Sequence, residues 1–147
     1  MGQQARSLLE LSIAAAGAIT IYRGVGFDGN QATVQGQAVL GPARFAASAG
    51  DEVTVVAKGT AVWEVGAAIT VGEKLIVDNQ GRVIPANTFA VANPTVNAGA
   101  TAVTSTAANG AILTQGALSG SVLPEWQVGT ALQAASAAGQ FIEVLLP

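Results

Sequence analysis

The sequence predicts an all-β fold, a small β-barrel or sandwich of short antiparallel strands and hairpins. Val and Ile together number 25 against 11 Leu, and 18 Gly interrupt the chain of 147 residues at short intervals. β-Branched residues favour strands, and frequent glycines favour turns over long helices. A chain of this length can bury about 68 to 70 per cent of its unfolded surface. We therefore expect one β domain over residues 1–147.

The first predicted strand lies near the N-terminus, where Leu9, Leu11 and Ile13 alternate with Glu10 and Ser12. Its apolar residues recur at every second position, which is the period of a strand, and we expect the strand to begin near Leu8. A helix is the alternative, because Ser7 and Glu10 have capping-box spacing and Gly17 could end the helix. The alanines that follow the run dilute any apolar helical stripe, so the strand is favoured.

The next predicted strand is AITIYR, residues 18–23, and it leads into the glycine-rich stretch GVGFDGN. The glycines have the spacing G-x-G-x-x-G, which in nucleotide-binding proteins lies at the start of a helix and contacts phosphates. Here the following residues, NQATVQGQAVLG, have no helical periodicity. The stretch therefore predicts a turn at Asp28 and Gly29 rather than a phosphate-binding loop.

The middle and the end of the chain predict further strands. GDEVTVVAKGTAVWEVG, residues 50–66, predicts two strands joined at Gly59 and Thr60. AAITVGEKLIV and GRVIPA flank DNQG, whose residue types suit a tight turn between antiparallel strands. WQVGTALQAA and FIEVLLP flank SAAGQ and predict a second hairpin, with Glu143 pointing away from its apolar neighbours. A short helix over residues 131–135 is the alternative for ALQAA.

Two tryptophans are candidates for either core or interface positions, since aromatic residues are common in both. Trp63 alternates with Ala61 and Val65 in an apolar set, which favours burial. Trp126 follows a proline and a glutamate at the edge of an uncharged segment. For Trp126 the core and interface interpretations remain equally open.

Residues 83–124 contain no charged side chain and consist mainly of Ala, Thr, Asn, Gly, Ser and Val. Disordered segments usually combine high net charge with few β-branched residues, and this segment has neither property. We expect weak strands and long turns here, with residues 87–124 forming an insertion or extended loop. A surface for protein contacts and a tolerated insertion are both open interpretations.

The composition argues against an enzyme. Histidine and cysteine are absent, which removes the usual general base, the commonest metal ligand and any thiolate. Adjacent carboxylates on a strand point to opposite faces, so no glycosidase-like pair is expected. We expect the carboxylates in the central part of the chain to be solvated, and we expect no metal and no cofactor. These carboxylates are Asp51, Glu52, Glu64, Glu73 and Asp78.

The charge pattern also argues against nucleic-acid and membrane partners. The net charge is -3 at pH 7, and the six Lys and Arg are scattered along the chain rather than gathered into a basic patch. No apolar run approaches the roughly 20 residues that a membrane-spanning helix needs.

Three pieces of the sequence, taken in order, resemble the capsid decoration or cement proteins of tailed bacteriophages. They are VGFDGNQA, then GDEVTVVAKGTAVWEVGAAITVGEKLIVDNQGRVIPA, then VGTALQAASAAGQFIEVLLP. The resemblance covers about residues 8–86 and 127–147. It implies a small β-barrel-like protein, made in the host cytoplasm, on the outer surface of an expanded icosahedral head. It also implies bridging of major capsid subunits by trimers or dimers, with trimers favoured, and no catalytic residues.

A cement protein needs exposed edges or arms that bind by backbone pairing and apolar contact. The candidate regions are an N-terminal arm, residues 1–12, and the uncharged segment. An alternative function is a carbohydrate-binding or adhesion module that uses an exposed tryptophan. The candidate residues for contacts with the capsid or a sister subunit are Leu8, Leu9, Leu11, Phe89, Val91 and Trp126.

Overall fold

The structure, a computed structural model, describes residues 5–86 and 125–147. Eight strands and no helix are present in these residues. The predicted all-β class is therefore confirmed. The strands are β1 Ser7–Ala14, β2 Gly24–Val25, β3 Gly41–Pro42, β4 Glu52–Glu64, β5 Lys74–Val77, β6 Val83–Pro85, β7 Gly129–Ala131 and β8 Phe141–Leu146.

Six of the strands form one antiparallel sheet in the order β1-β4-β8-β7-β5-β6, and β2 pairs with β3 in a small separate sheet. The large sheet is open, with β1 at one end of the order and β6 at the other. One isolated parallel bridge joins Val65, just after β4, to Val83 at the start of β6. The sheet is therefore not a closed barrel, and the barrel alternative of the prediction is wrong. The single bridge between Val65 and Val83 does not pair the two ends of the sheet as strands.

Strand β4 is the central element of the sheet. It runs unbroken for 13 residues, so the prediction of two strands joined at Gly59 and Thr60 was wrong. The strand continues because its partner changes: it pairs with β1 up to Gly59 and with β8 from Gly59 onward. Gly59 has a φ of 107°, and a Cβ there would collide with the carbonyl oxygen of Arg6. A glycine is needed at this change of partner.

The strand predicted over residues 18–23 is also wrong. Only Ile19 makes a bridge, to Ala47, and Tyr22 has a left-handed φ of 60°. Long-range backbone bonds hold Tyr22 in this conformation, since its N–H donates to Ala43 O at 2.8 Å and its carbonyl accepts from the Glu64 N–H at 3.0 Å. A residue with positive φ interrupts an extended run.

Both predicted hairpins are confirmed as antiparallel pairs, β5 with β6 and β7 with β8. The first closes through the Asp78 turn, where the Asp78 carboxylate accepts the backbone N–H groups of Gln80 and Arg82 at 2.8 and 2.9 Å. Strand β7 ends at Ala131, before most of the predicted ALQAA stretch, and residues 131–135 form no helix.

The core consists of two clusters of buried side chains. The larger one surrounds Trp63, which is fully buried and donates its indole N–H to Gly81 O at 2.9 Å. The core position predicted for Trp63 is thus confirmed. The smaller cluster lies under the N-terminal half of β4 and contains Ala15, Ile19, Val25, Ala43, Val53 and Val55.

Candidate functional site

The ionisable side chains of the sheet form structural pairs. Arg23 binds Glu64 through two hydrogen bonds of 2.8 and 3.0 Å, and both side chains are mostly buried. Arg82 binds Asp78 at 2.7 Å, and Asp78 is 7% exposed. The prediction that Glu64 and Asp78 are solvated is therefore wrong, because each carboxylate is shielded and neutralised by an arginine.

The remaining central carboxylates support turns and strand pairs. Asp51 accepts the Ser48 N–H at 2.9 Å, and Glu73 accepts the Thr70 N–H at 2.7 Å. Glu52 accepts the Ser12 hydroxyl at 3.2 Å. Across residues 5–86 and 125–147, no group of three or more carboxylates could hold a metal ion. These three carboxylates thus support turns and the pairing of β1 with β4.

The candidate leucines lie together on β1, which is a strand as predicted rather than a helix. Leu8 is 78% exposed, Leu9 48% and Leu11 36%. β1 pairs with β4 on one side, and no described strand pairs with its other side. The predicted arm, residues 1–12, therefore belongs to the sheet from Ser7 onward. We call the three leucines and the unpaired side of the strand the β1 edge.

The pairing of β1 with β4 sets the direction of its side chains. Leu11 lies opposite the buried Val55 and Leu9 opposite Lys58, and residues directly opposite share a face of the sheet. The register shifts on both sides of Leu9, which leaves Leu8 as an extra residue whose side chain lies over Gly59. Such a bulge increases the local twist and re-aims a side chain.

The β1 edge has one charged residue, Glu10, which forms an ion pair with Arg44. A hydrogen bond with the Ser7 side chain, followed by the charge and hydrogen bond of Arg44, holds the pKa of Glu10 below its usual value. Glu10 is therefore ionised at neutral pH and balanced by its partner. The edge as a whole presents leucines and backbone groups without net charge.

Trp126 lies outside β1 and pairs with Phe27, a residue that the sequence analysis did not single out. The two rings meet edge to face, with centroids 6.5 Å apart and planes at 85°. Trp126 is 50% exposed and Phe27 65%. We call these two residues the aromatic pair. They border a groove of about 230 Å³ whose other walls include Val39, Leu40, Gly41 and Val128.

The outer face of β8 is the second surface that the sequence analysis missed. Phe141 and Leu145 are 46% and 47% exposed, whereas Ile142, Val144 and Leu146 on the opposite face are buried. Glu143 shares the outer face but is only 8% exposed. Because β8 is apolar at every position except Glu143, its sequence does not show which of its two faces is covered. Only the outward position of Glu143 relative to its neighbours could be predicted.

Of the six candidate contact residues, four lie in described parts of the chain. Three of these, Leu8, Leu9 and Leu11, come together on the β1 edge, and Trp126 belongs to the aromatic pair. Phe89 and Val91 lie outside the described residues. The structure therefore brings three of the candidate residues together on one exposed strand edge.

A comparison with protein families gives one match, to the phage cement proteins, over residues 3–118. The chain belongs to this family. The resemblance inferred from the three sequence pieces is thereby confirmed, and the cement protein is a structural component of phage virions. The matched range includes most of the uncharged segment, up to residue 118, whereas the resembling pieces extend to residue 147.

A solved structure, that of head fiber gp8.5 N base in bacteriophage phi29, has a similar fold. The TM-score is 0.57 and the identity 15%, with 95% of the cement protein and 93% of the phi29 chain covered. At this identity the likeness shows a shared fold and nothing finer. No curated protein sequence matches the chain. Among the described residues, no helix is long and apolar enough to cross a membrane.

Proposed function

We propose that this protein binds the outer surface of the expanded phage head and stabilises the head by bridging neighbouring major capsid subunits. The observation that carries the proposal is the β1 edge, an exposed strand side whose one charged residue is paired within the chain, in a member of the phage cement family. In this role the protein acts as a structural element rather than as an enzyme.

The β1 edge is suited to β-augmentation, in which an extended segment of a partner adds a strand to a sheet. The unpaired side of an edge strand presents a row of N–H and C=O groups that a partner strand can satisfy. Soluble proteins often protect such edges with Lys or Pro, and SLLELSIA contains neither. Leu8, Leu9 and Leu11 add apolar area that a partner would bury.

Binding through this edge should depend little on salt. Apolar and backbone contacts are screened far less than exposed ion pairs are, and the one charged residue of the edge is already paired within the chain. Many weak contacts repeated over a shell add up through multivalency. Release of the protein from heads by moderate salt alone would therefore contradict the proposed mode of binding.

The proposal is tested by mixing purified protein with expanded heads from which it has been stripped, and with unexpanded proheads. We expect saturable binding to expanded heads and a higher rupture temperature of those heads, because the bound protein links subunits that otherwise separate. Failure to bind expanded heads, or binding that leaves the rupture temperature unchanged, would refute the bridging role.

A matched pair of variants locates the contact. Leu9→Ser with Leu11→Ser removes two leucines of the β1 edge, and Leu145→Ser with Leu132→Ser removes two leucines elsewhere that are 47% and 36% exposed. We expect the first double variant to lose at least about tenfold in affinity for expanded heads and the second to bind normally. Equal losses in the two variants would place the contact elsewhere.

Self-association belongs to the same proposal. The family resemblance favours trimers over dimers, and a ring of three copies would let one assembly contact several capsid subunits at once. We expect light scattering of the purified protein, or counting of copies per site on decorated heads, to give multiples of three. A strictly monomeric protein at every site would remove this part of the proposal.

A further inference from the structure

A polar cleft lies beside the turn at residues 27–30 and has no part in the proposed head contact. Its volume is about 640 Å³, which is within the range of small-molecule sites. The side chains lining it include three amides, one hydroxyl and one carboxylate. They belong to Ala18, Asp28, Asn30, Gln31, Thr33, Val34 and Gln37.

The amide of Gln37 is held in one orientation. Its Oε1 accepts the backbone N–H groups of Thr33 and Val34 at 3.0 and 2.8 Å. The oxygen is therefore turned towards the backbone, and Nε2, which donates to no described residue, remains available as a hydrogen-bond donor at the cleft. A donor fixed before binding loses little entropy when a ligand arrives.

Asp28 supplies the matching acceptor. Its carboxylate accepts the Asn30 side-chain amide at 2.9 Å and the Asn30 backbone N–H at 3.1 Å. These two bonds, the side-chain bond first, lower the pKa of Asp28. The carboxylate is thus ionised at neutral pH and fixed in place, and each of its oxygens retains capacity to accept a ligand hydroxyl.

Gln31 fixes the wall of the cleft. Its Oε1 accepts the Thr20 N–H at 2.8 Å, and its Nε2 donates to Gln80 O at 2.9 Å. These bonds tie the 27–37 region to two other loops, so the polar groups of the cleft are positioned by the scaffold. Phe27, the exposed ring of the aromatic pair, directly precedes Asp28 in the same turn.

We propose that the polar cleft binds a neutral carbohydrate, a chain of hexose units, through the Asp28 carboxylate and the Gln37 amide. Sugar hydroxyls need fixed donors and acceptors in one place, which this cleft has. The lining includes one negative charge and no Lys or Arg, which disfavours phosphorylated or acidic sugars.

The site is tested by NMR titration of the whole protein with maltohexaose, cellohexaose and mannohexaose, and with a heparin hexasaccharide as the acidic probe. We expect saturable shifts of residues 27–37 with at least one neutral probe and a dissociation constant in the millimolar range or tighter. No saturable shift with any neutral probe, or tighter binding of the acidic probe, would overturn the proposal.

A matched pair of variants tests the role of the Gln37 donor. Gln37→Glu keeps an oxygen to accept the two backbone N–H groups and removes the Nε2 donor. Gln140→Glu makes the same change at a glutamine outside the cleft, whose Oε1 likewise accepts a backbone N–H, from Ser136 at 2.8 Å. We expect Gln37→Glu to weaken binding of the neutral probe at least about tenfold and Gln140→Glu to leave it unchanged.

Two control measurements accompany the variants. Thermal unfolding of both variants shows whether either change disturbs the fold, and binding to expanded heads shows whether the head contact is intact. We expect both variants to bind heads normally, because the cleft and the β1 edge share no residue. Wild-type affinity for the neutral probe in Gln37→Glu would overturn the assigned role of Gln37, whatever the outcome for the head contact.

Discussion

The centre of the large sheet and the β1 edge have similar apolar sequences and opposite environments. Trp63 and Val144, on the paired strands β4 and β8, are fully buried, whereas Leu8 is 78% exposed. Both regions have the alternation of a half-buried strand. They differ in position, since β4 has neighbours on both sides and β1 has a described neighbour on one side only. The centre forms the scaffold, and the edge is left available for a partner.

The largest predicted difference is between removal of the buried tryptophan of the sheet centre and removal of an exposed tryptophan that, like the β1 leucines, lies at the surface. Trp63→Ala creates a cavity in the main cluster and leaves the Gly81 carbonyl without its 2.9 Å donor, so we expect a loss of about 3 to 5 kcal/mol in unfolding free energy. Trp126→Ala, at a half-exposed position, should cost no more than about 1 kcal/mol. Denaturant unfolding measures both, and similar losses would mean that Trp126 also supports the scaffold.

The junction between the two regions can be tested at Gly59. Gly59→Ala places a Cβ against the Arg6 carbonyl at a positive φ, so we expect a loss of about 1 to 3 kcal/mol in stability. Gly50→Ala is the control, because Gly50 has a similar φ of 91° with nothing within 4 Å of its Cβ position. If thermal unfolding showed equal losses, the close approach of β1 to β4 would not be the cause.

The two regions also hold arginine–carboxylate pairs of different exposure. Glu64→Gln weakens a mostly buried pair with two short hydrogen bonds, and we expect a loss of about 1 to 2 kcal/mol. Glu10→Gln weakens the exposed pair with Arg44, and we expect a much smaller loss in unfolding free energy. A greater loss from Glu10→Gln would show that the β1 edge is held more firmly than its exposure indicates.

The smallest predicted effect is a pH dependence at the β1 edge. The pKa of Glu10 is lowered from its ordinary value of 4.5, mainly by the Ser7 hydrogen bond and by Arg44. A carboxylate with a depressed folded-state pKa stabilises the fold above its unfolded pKa, and this contribution is lost as pH falls through the folded value. The small stability difference between wild type and Glu10→Gln should therefore shrink in acid, as paired unfolding curves will show. A difference that grows in acid would contradict the assignment.

The sequence was sufficient for features that depend on local chemistry. The DNQG turn predicted the β5–β6 hairpin, and the alternation around Trp63 predicted its burial. Features that depend on distant partners could not be predicted from the sequence. Tyr22 takes its left-handed conformation from bonds to Ala43 and Glu64, and β4 continues past Gly59 because β8 pairs with it from there onward.

The candidate site could also be predicted only in part, because local patterns are visible in the sequence and distant partners are not. The period of two in residues 9–13 predicted the strand, and the pattern did not show that one side of it is left without a described partner. Glu64 read as a solvated carboxylate because its partner, Arg23, lies 41 residues away. Phe27 gave no signal beyond its place in a turn, since its pairing with Trp126 joins distant parts of the chain.

The central claim is that the β1 edge is the surface that joins the protein to the head. A cryo-EM reconstruction of expanded heads decorated with the purified protein tests it most directly. We predict an extended segment of a major capsid subunit beside β1, with Leu8, Leu9 and Leu11 buried near the boundary between two subunits. A reconstruction with the β1 edge facing solvent and another surface on the capsid would contradict the account.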